Sequence, residues 1–408
     1  MADRSRPPHA LERPRWVVLG ALLSAFALSQ AFRTMPAITA AQIGAEFTAS
    51  TRDLGLFAGL FHFAFAFMQI PVGVALDRYG PGRTVCALFP AALAGTVLVA
   101  AAPNFTVLLL GQALLGIGSS PAFLAPVVFA SKRFPPERFA AVSGLILSIG
   151  GLGMLATATP LAFVVQTWSW RAAFWLLAVI SALALLACWM LVQQATPTAR
   201  GETLARAFRE ATALFAQAHT AGILVLGGVT YAITITVRAL WAVPVFTERH
   251  GFTLVQAGNV VLAMSVAMLV GPVFFGRIDP GGLRRRRLIA SATLLLAAVV
   301  AGLAPAHVSP LVETALVLAL GFLSGFIILQ YADVRSSYPA AVAGRALGVF
   351  NMAMFFGVAI MQWLSGLVAD VASAQEIDAL EAVFLTLAAI LAVAAAAFLK
   401  LPRSPLLR

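Results

Sequence analysis

The chain has 408 residues, of which 61% are hydrophobic and only 11% are charged, whereas charged residues make up about a quarter of an ordinary soluble domain. Apolar runs of about 18 or more residues, long enough to cross a bilayer core, recur along the whole chain. This composition excludes a soluble globular protein and predicts a polytopic, all-α membrane protein. The net charge of +11 would suit a nucleic-acid partner, but the positions of the basic residues exclude that class.

The apolar runs divide into twelve predicted transmembrane helices, numbered here as spans 1 to 12 in chain order. Span 1 begins near Trp16, and its apolar stretch is too long for a signal peptide with a cleavage site, so we interpret it as a retained span. The predicted spans lie at roughly 15–40, 53–76, 84–102, 105–130, 139–165, 171–193, 220–247, 254–276, 287–305, 309–333, 343–369 and 379–399.

The basic residues lie mainly in alternate connections between the predicted spans. Of the 27 lysines and arginines, 22 fall on the side of the two termini, 3 fall on the other side, and Arg33 and Arg238 fall within spans. The excess of positive charge on one side predicts that both termini are cytoplasmic. The basicity of the chain therefore reflects membrane topology rather than a site for nucleic acid.

The two parts of the chain repeat one another. Arg33 lies 14 residues before Phe47 and Arg238 lies 14 residues before Phe252, so the two pairs share an offset of 205 residues. Internal repeats of this kind are typical of secondary transporters, whose substrate site lies near the membrane midplane between the repeats. The predicted organisation is a cytoplasmic tail at 1–14, a six-helix bundle at 15–193, a cytoplasmic linker with an amphipathic helix at 194–219, a second six-helix bundle at 220–400 and a tail at 401–408.

Two related motifs connect equivalent spans. The connection between spans 2 and 3 reads GVALDRYGPGR at 73–83, and a degenerate copy, GRIDPGGLRRRR at 276–287, connects spans 8 and 9. With GLGMLATATPLA in span 5 and WRAAF at the start of span 6, these motifs resemble those of the major facilitator superfamily, over nearly all of 15–400. The resemblance implies that family's fold of twelve helices in two pseudo-symmetric bundles, transport by alternating access, and a place in the inner membrane of a bacterial cell.

The resemblance also implies a gating role for the first motif. Asp77 would accept hydrogen bonds at the cytoplasmic start of span 11, near Gly344 and Arg345, where a helix N-terminus carries partial positive charge, and would latch the outward-facing state. The alternative is that the motif only sets topology and solubility at the surface. The gating residues that the resemblance implies are Gly73, Asp77, Arg78, Gly80, Arg83 and, in the second copy, Asp279.

Two features depart from the proton-driven drug exporters of this family. Gln112 stands where proton-coupled members often carry an arginine in span 4, and none of the sixteen acidic residues lies in the middle of a predicted span. The acids closest to the spans, Glu313, Asp333 and Asp370, are expected near helix ends. Export of drugs or other hydrophobic compounds therefore stays the alternative function.

Arg33 and Arg238 place permanent charges inside predicted spans, at equivalent positions of the two repeats. Each alone could extend its guanidinium group to the membrane interface. In the packing that the resemblance implies, however, spans 1 and 7 both line the central cavity, and ionisable residues within spans usually mark a substrate path. A guanidinium group can hold a carboxylate through two hydrogen bonds, and no acidic residue is an obvious partner within the membrane. We therefore predict that both arginines bind an anionic substrate.

Further polar residues within spans are candidates for the same site. Tyr231, Arg238 and Trp241 fall on one stripe of span 7 at helical spacing, and His62 in span 2 could carry a proton with the substrate. The same side chains could instead form hydrogen bonds between packed helices, which are common in membrane bundles. The predicted substrate-binding residues are Arg33, Arg238, Tyr231, Gln30, Trp241, Gln330 and Asn351.

The sequence thus predicts a secondary active transporter of a small organic anion of the carboxylate type. We expect a monomer in the lipid bilayer, with the anion as its partner and with coupling either to protons or to exchange. A membrane enzyme or sensor is disfavoured because the spans hold no carboxylate pair, no metal-ligand cluster and no nucleophile beside a base. No cofactor is expected.

Overall fold

The computed structural model describes residues 14–134, 136–156, 159–192, 209, 213–214, 218–338, 340–402 and 404. Every regular element among these residues is a helix. The amphipathic helix predicted within the linker at 194–219 lies almost entirely outside the described residues, as does the tail before Pro14.

The helices follow the predicted order of spans. In the first half, span 1 consists of Arg15–Thr34 and Pro36–Phe47, span 2 of Thr51–Phe67 and the first part of Gln69–Ala100, span 3 of the rest of that helix, span 4 of Phe105–Ser119 and Leu124–Arg133, span 5 of Pro136–Ala156 and Thr159–Thr167, and span 6 of Trp170–Leu191. In the second half, span 7 consists of Ala218–Thr236, a π-helix at Val237–Trp241 and Ala242–His250, span 8 of Leu254–Arg277, span 9 of Gly282–Gly302, span 10 of Pro310–Leu323, a 3₁₀ turn at Ser324–Phe326 and Ile327–Ser337, span 11 of Ala340–Ala374, and span 12 of Ala379–Lys400.

The described helices confirm an all-α, polytopic membrane protein. Ten helical stretches are long and apolar enough to cross a membrane, and the bent pair Thr51–Phe67 and Gln69–Leu76 gives an eleventh. The exception is span 9, which begins with four arginines at 284–287. Its remaining apolar part of about 15 residues is roughly 22 Å long, short of a bilayer core of about 30 Å.

The two spans that carry the buried arginines are irregular beside those arginines. In span 1 the first helix ends at Thr34, because Pro36 has no backbone N–H to continue the hydrogen-bond ladder. In span 7 the residues Val237–Trp241, which include Arg238, wind as a π-helix, an insertion that is frequent at functional sites. Arg33 and Arg238 therefore both lie where regular helical hydrogen bonding is interrupted.

The two halves meet closely along spans 2 and 11. We call the side where the chain enters span 1 and leaves span 12 the terminal side, and the other the opposite side. Toward the opposite side a β-carbon added to Gly59 would lie 2.8 Å from the carbonyl oxygen of Ala359, too close for a side chain, so the two backbones touch. Toward the terminal side, the same spans leave open space in front of Gly73 and Gly348. The contact between these spans is therefore tightest toward the opposite side.

Candidate functional site

Arg238 is fixed at the π-helix of span 7 by hydrogen bonds along one edge of its guanidinium group. Its Nε and Nη2 both donate to the Ser265 hydroxyl of span 8, at 3.1 and 2.9 Å, and Nη2 also donates to the Met154 carbonyl of span 5, at 3.2 Å. The residue is 1% exposed. Its Nη1 is buried and has no hydrogen-bond partner among the described residues, so the N–H groups of that nitrogen remain available.

Arg33 is held mainly by aromatic rings. Its guanidinium carbon lies 4.3 Å from the ring centre of Phe65 and 4.8 Å from that of Phe355, a geometry that gives cation–π attraction. A long hydrogen bond runs from Nη2 to the Ser29 hydroxyl at 3.4 Å. The residue is 8% exposed. Its Nε and the Oε1 of Gln30, one turn earlier, are buried without a hydrogen-bond partner in the described part of the chain.

Within the part of the chain that the structure describes, no carboxylate lies within ion-pairing distance of Arg33 or Arg238. The ion pairs found there involve other side chains: Arg171 with Glu46, Arg249 with Glu313 and Asp378, His250 with Glu313, Arg285 with Asp279, and Arg286 with Asp333. Both guanidinium groups are buried within the protein. The two arginines are thus internal charges without an internal counter-charge among these residues.

Tyr231 lies close enough to both arginines to interact with them electrostatically. Its hydroxyl interacts electrostatically with the guanidinium groups of both Arg33 and Arg238, and its ring centre lies 5.8 Å from that of Phe355. The predicted stripe along span 7 is divided, however, because the π-helix alters the register. Trp241 donates from Nε1 to the Ser365 hydroxyl of span 11 at 3.0 Å, whereas Arg238 bonds to span 8.

His62 is buried close to Arg33. Its Nδ1 lies 3.2 Å from the carbonyl oxygen of Ala58 in the same helix, which assigns the proton of the neutral ring to Nδ1. Its Nε2 has no hydrogen-bond partner among the described residues, and its ring stacks on Phe355 with 6.3 Å between ring centres. Because His62 interacts electrostatically with Arg33, a second proton on the ring would add a positive charge beside an existing one.

Two predicted amide contacts are already engaged between helices. The Gln330 side chain exchanges hydrogen bonds with Thr230 of span 7, at 2.9 and 3.2 Å. Asn351 accepts a hydrogen bond from the Tyr331 hydroxyl at 2.8 Å and donates to Gln69 at 3.5 Å, which links span 11 to span 2 of the other half. Gln330 therefore serves the packing of the second half, while Asn351 bridges the halves.

The structure describes only part of the first copy of the motif, at 73–83, for which the resemblance implies a gating role. The side chains of Asp77 and of 340–345 lie outside the described residues, so the latch between them stays a prediction. Gly80 has φ of +78°, a conformation that favours glycine, and it forms the turn between spans 2 and 3. Arg78 is exposed and Arg83 is half-buried.

In the second copy of the motif, Asp279 accepts hydrogen bonds from other residues of the same connection between spans 8 and 9. Its carboxylate accepts hydrogen bonds from Arg285 Nε and Nη2 at 2.7 and 2.8 Å, and from the backbone N–H of Gly281 at 2.9 Å. Arg285 also donates from Nη1 to the Ser336 hydroxyl of span 10 at 3.1 Å. The hydrogen bonds from Arg285 hold the pKa of Asp279 below its ordinary value. Asp279 thereby ties the start of span 9 to the end of span 8.

The opposite side holds two arginine clusters that no sequence pattern indicates. We call them the first clamp, around Arg171, and the second clamp, around Arg249. In the first clamp, Arg171 of span 6 pairs with Glu46 of span 1 and donates to the carbonyls of Ala100 and Ala102, at 2.9 and 2.8 Å. These carbonyls end span 3, where a cation is favourable.

The second clamp lies at the equivalent end in the second half, but its arginine comes from a different span. Arg249 of span 7 donates to the carbonyls of Leu303 and Ala304 at the end of span 9, both at 2.8 Å. It also pairs with Glu313 at 3.0 Å, and His250 lies 2.6 Å from the same carboxylate. Glu313 was expected near a helix end and does lie in the first turn of its helix, yet it is 0% exposed. No sequence spacing signals this contact, because Arg249 and Glu313 are 64 residues apart.

The relatives of the chain are transporters. The uncharacterized transporter YybO of Bacillus subtilis (strain 168) is 27% identical over 195 residues, which are 46% of this chain and 42% of that protein. The probable sulfoacetate transporter SauU of Cupriavidus necator is 27% identical over 169 residues, or 41% and 39% of the two chains. A hexuronate transporter of Bacillus subtilis (strain 168) is 30% identical over 151 residues, or 36% and 35%. The chain therefore aligns with less than half the length of each of these relatives.

Solved structures share the fold over almost the whole length. A D-xylose–proton symporter has a TM-score of 0.74 at 15% identity, covering 96% of this chain and 99% of that one. A bacterial homologue of the human lysosomal transporter Spinster, in an inward-facing and occupied conformation, has a TM-score of 0.74 at 16% identity, covering 94% and 96%. A sequence model of the Major Facilitator Superfamily matches residues 18–361. The chain belongs to the Major Facilitator Superfamily.

Proposed function

We propose that this transporter moves a small organic anion of the carboxylate type across the bacterial inner membrane. It does so by alternating access between six-helix halves at 15–193 and 220–400, with both termini in the cytoplasm. The observation that carries the proposal is the pair of buried guanidinium groups, one from each half, that lack a carboxylate partner among the described residues.

The unpaired charges favour an anion on energetic grounds. A charge buried without a partner costs several kcal/mol in a protein interior. The Nε of Arg33 and the Nη1 of Arg238 are buried donors without a hydrogen-bond partner in the described structure. An anion that reached both would accept charge-assisted hydrogen bonds, which are about twice as strong as neutral ones. Substrate binding would thereby offset the cost of burying the two charges.

The relatives support an anionic substrate class. Two of them are named for anions, sulfoacetate and a hexuronate. Their likeness to this chain covers less than half of its length, so it favours the class without selecting one compound. Of the other substrate-binding residues proposed from the sequence, Tyr231, which interacts electrostatically with both arginines, best fits an anion that bridges the halves.

Coupling to protons or to exchange is part of the proposal. His62, which is buried close to Arg33, is the candidate that would carry a proton together with the anion. A proton-coupled transporter would take up a proton when the anion binds, whereas a transporter that works by exchange would bind the anion without proton uptake.

A thermal-shift screen of the purified protein tests the substrate class. The panel contains acetate, succinate, glucuronate, sulfoacetate and inorganic phosphate. We expect organic anions to raise the Tm of the wild type, and Arg238→Gln to abolish both this shift and anion uptake into proteoliposomes while the protein remains folded and inserted. The matched control is Arg277→Gln, which removes an exposed arginine bonded only to its own helix in the described structure.

Unchanged anion transport by Arg238→Gln would overturn the proposal. Stabilisation by amphiphilic cations, with no response to any anion of the panel, would favour the alternative of an exporter of drugs or other hydrophobic compounds.

A further inference from the structure

The hydrogen bonds of Arg238 divide its guanidinium group into an occupied edge and a free end. One N–H of Nη2 and the N–H of Nε both end on the Ser265 hydroxyl oxygen, and the other N–H of Nη2 ends on the Met154 carbonyl. A guanidinium group has five N–H donors. Only those of Nη1 are left, in a buried position without a partner in the described part of the chain.

The hydroxyl oxygen of Ser265 is free to accept both hydrogen bonds from Arg238. It is 1% exposed, and its hydroxyl hydrogen is donated to the Val261 carbonyl one turn earlier, at 2.7 Å. With the hydrogen directed at its own helix, the oxygen presents its lone pairs to Arg238. The position of this double acceptor is set by span 8, so span 8 determines how a side chain of span 7 is oriented.

We propose that Ser265 is a positioning residue of the anion site, which holds Arg238 so that Nη1 alone faces the substrate. The inference rests on the proposed anion site. Held in this way, Arg238 cannot place two nitrogens on the two oxygens of one carboxylate. It binds a single oxygen through Nη1, and a second oxygen is left for another donor, for which the free Nε of Arg33 is available.

The chemistry of a hydroxyl suits this task better than that of a carboxylate. A carboxylate at position 265 would orient the guanidinium group equally well, but it would cancel the positive charge and compete with the substrate. The neutral Ser265 oxygen fixes the direction of Arg238 and leaves its charge uncompensated. The site therefore combines a fixed geometry with a full positive charge, which is what recognition of an anion requires.

Three serine variants test the inference. Ser265→Ala removes the double acceptor, Ser265→Thr keeps a hydroxyl, and Ser181→Ala is the matched control. Ser181 is 0% exposed and donates to the Leu177 carbonyl at the same 2.7 Å, but its hydroxyl contacts no arginine in the described structure. With glucuronate and sulfoacetate as probes, we expect Ser265→Ala to raise Kd and the transport KM by about tenfold or more, because two hydrogen bonds to a charged group are lost. For Ser265→Thr, which keeps a hydroxyl group, we expect a Kd within about threefold of the wild-type value.

A second measurement needs no bound anion. Phenylglyoxal labelling, followed by peptide-resolved mass spectrometry, reports how freely each guanidinium group can react. We expect Ser265→Ala to accelerate labelling of Arg238 several-fold and to leave labelling of Arg33 as in the wild type. Ser181→Ala changes neither rate. Should neither probe anion bind the wild type, the labelling rate of Arg238 still decides whether Ser265 holds Arg238 in place.

The outcomes separate this inference from the proposed function. If Arg238→Gln abolishes anion binding while Ser265→Ala leaves both Kd and the labelling rate unchanged, the role of Ser265 is wrong and the anion site stands. Equal effects of Ser265→Ala and Ser181→Ala would show a general loss of packing and also overturn it. If Arg238→Gln leaves anion binding intact, the proposed function itself fails.

Discussion

The two halves of the chain place an arginine at equivalent positions, but the surroundings of the two arginines differ. Arg238 is oriented by directional hydrogen bonds to Ser265 and Met154 and is 1% exposed. Arg33 lies beside the rings of Phe65 and Phe355, which contact each other, and is 8% exposed. A ring face attracts a cation without fixing the directions of its N–H groups. The repeat therefore places one guanidinium group whose N–H directions are fixed by hydrogen bonds and one whose N–H directions are largely not fixed.

The clamps on the opposite side show the same contrast in burial. In the first clamp the side chains of Arg171 and Glu46 are 30% and 40% exposed, whereas in the second those of Arg249 and Glu313 are 7% and 0% exposed. Both arginines bond to the carbonyl end of the third span of their half. The two clamps thus place an arginine at the end of equivalent spans, although the arginines themselves come from spans 6 and 7, and burial sets how much each ion pair contributes to stability.

The largest expected effect is a difference in the free energy of unfolding between variants of the two clamps. Glu313→Gln leaves the buried Arg249 without its closest carboxylate, which we expect to lower the free energy of unfolding by about 3 kcal/mol. Glu46→Gln breaks a largely exposed pair and should cost less than about 1 kcal/mol. Thermal and denaturant unfolding of the two purified variants measure the difference. Equal losses would show that burial does not distinguish the clamps.

The next effect concerns the orientation of Arg238. Arg238→Lys keeps the charge, but a lysine cannot bond to Ser265 and Met154 and still present a second nitrogen to the substrate. We expect anion affinity to fall by roughly 100-fold, measured by titration of the purified variant with glucuronate and sulfoacetate. Affinity close to that of the wild type would mean that charge alone suffices in the second half.

The same exchange in the first half should be milder. Arg33→Lys keeps a cation that the rings of Phe65 and Phe355 still attract, and few hydrogen bonds depend on the guanidinium plane there. We expect the loss of affinity for the same anions to be about tenfold. A loss as large as that of Arg238→Lys would remove the distinction between the two arginines.

A smaller effect follows from the rings themselves. Phe65→Leu removes the ring closest to Arg33, at 4.3 Å, and should weaken anion binding by about threefold. Phe61→Leu is the matched control, because that ring centre is 5.9 Å from the same guanidinium carbon, and its effect should be smaller. A stronger effect from Phe61→Leu would argue that packing, rather than cation–π attraction, holds Arg33.

The smallest effect is a pH dependence at Asp279 of the second half. Hydrogen bonds from Arg285 lower the pKa of Asp279 in the folded protein, so this pair contributes stability above the ordinary aspartate pKa of about 3.9. The contribution is lost as pH falls through the lowered pKa of the folded state. We expect the Tm of the wild type to be higher than that of Asp279→Asn at pH 7, and this difference in Tm to disappear in acid. Arg285→Gln should show the same pattern, and a difference that persists at low pH would contradict it.

The sequence predicts those features of the fold and site that depend on local properties. The order of the spans follows from apolar runs, and the internal position of Arg33 and Arg238 follows from permanent charges within them. The partner of Arg238 does not follow, because Ser265 is 27 residues away on the next span and its contact depends on the rotation of two helices. The π-helix at Val237–Trp241 likewise has no spacing signal, and it divides the stripe that regular helical spacing predicts.

Burial of a charged residue at a helix end is equally hard to read from sequence. Glu313 lies in the first turn of its helix, where an acid is ordinarily solvated, and only the approach of Arg249 and His250 explains its full burial. The apolar part of span 9 is also shorter than its predicted boundaries of 287–305 suggest, because Arg287 belongs to the run of arginines and the helix ends at Gly302.

The short apolar part of span 9 has a consequence for biosynthesis. Arg286 at its start is buried, and it donates to Asp333 of span 10 at 3.2 Å and to the Phe398 carbonyl of span 12 at 3.3 Å. A helix of this length with charged residues enters lipid poorly on its own, and the groups that neutralise Arg286 are synthesised after it. We therefore expect span 9 to remain at the translocon until span 10 has emerged from the ribosome, so that the two enter the bilayer as a hairpin.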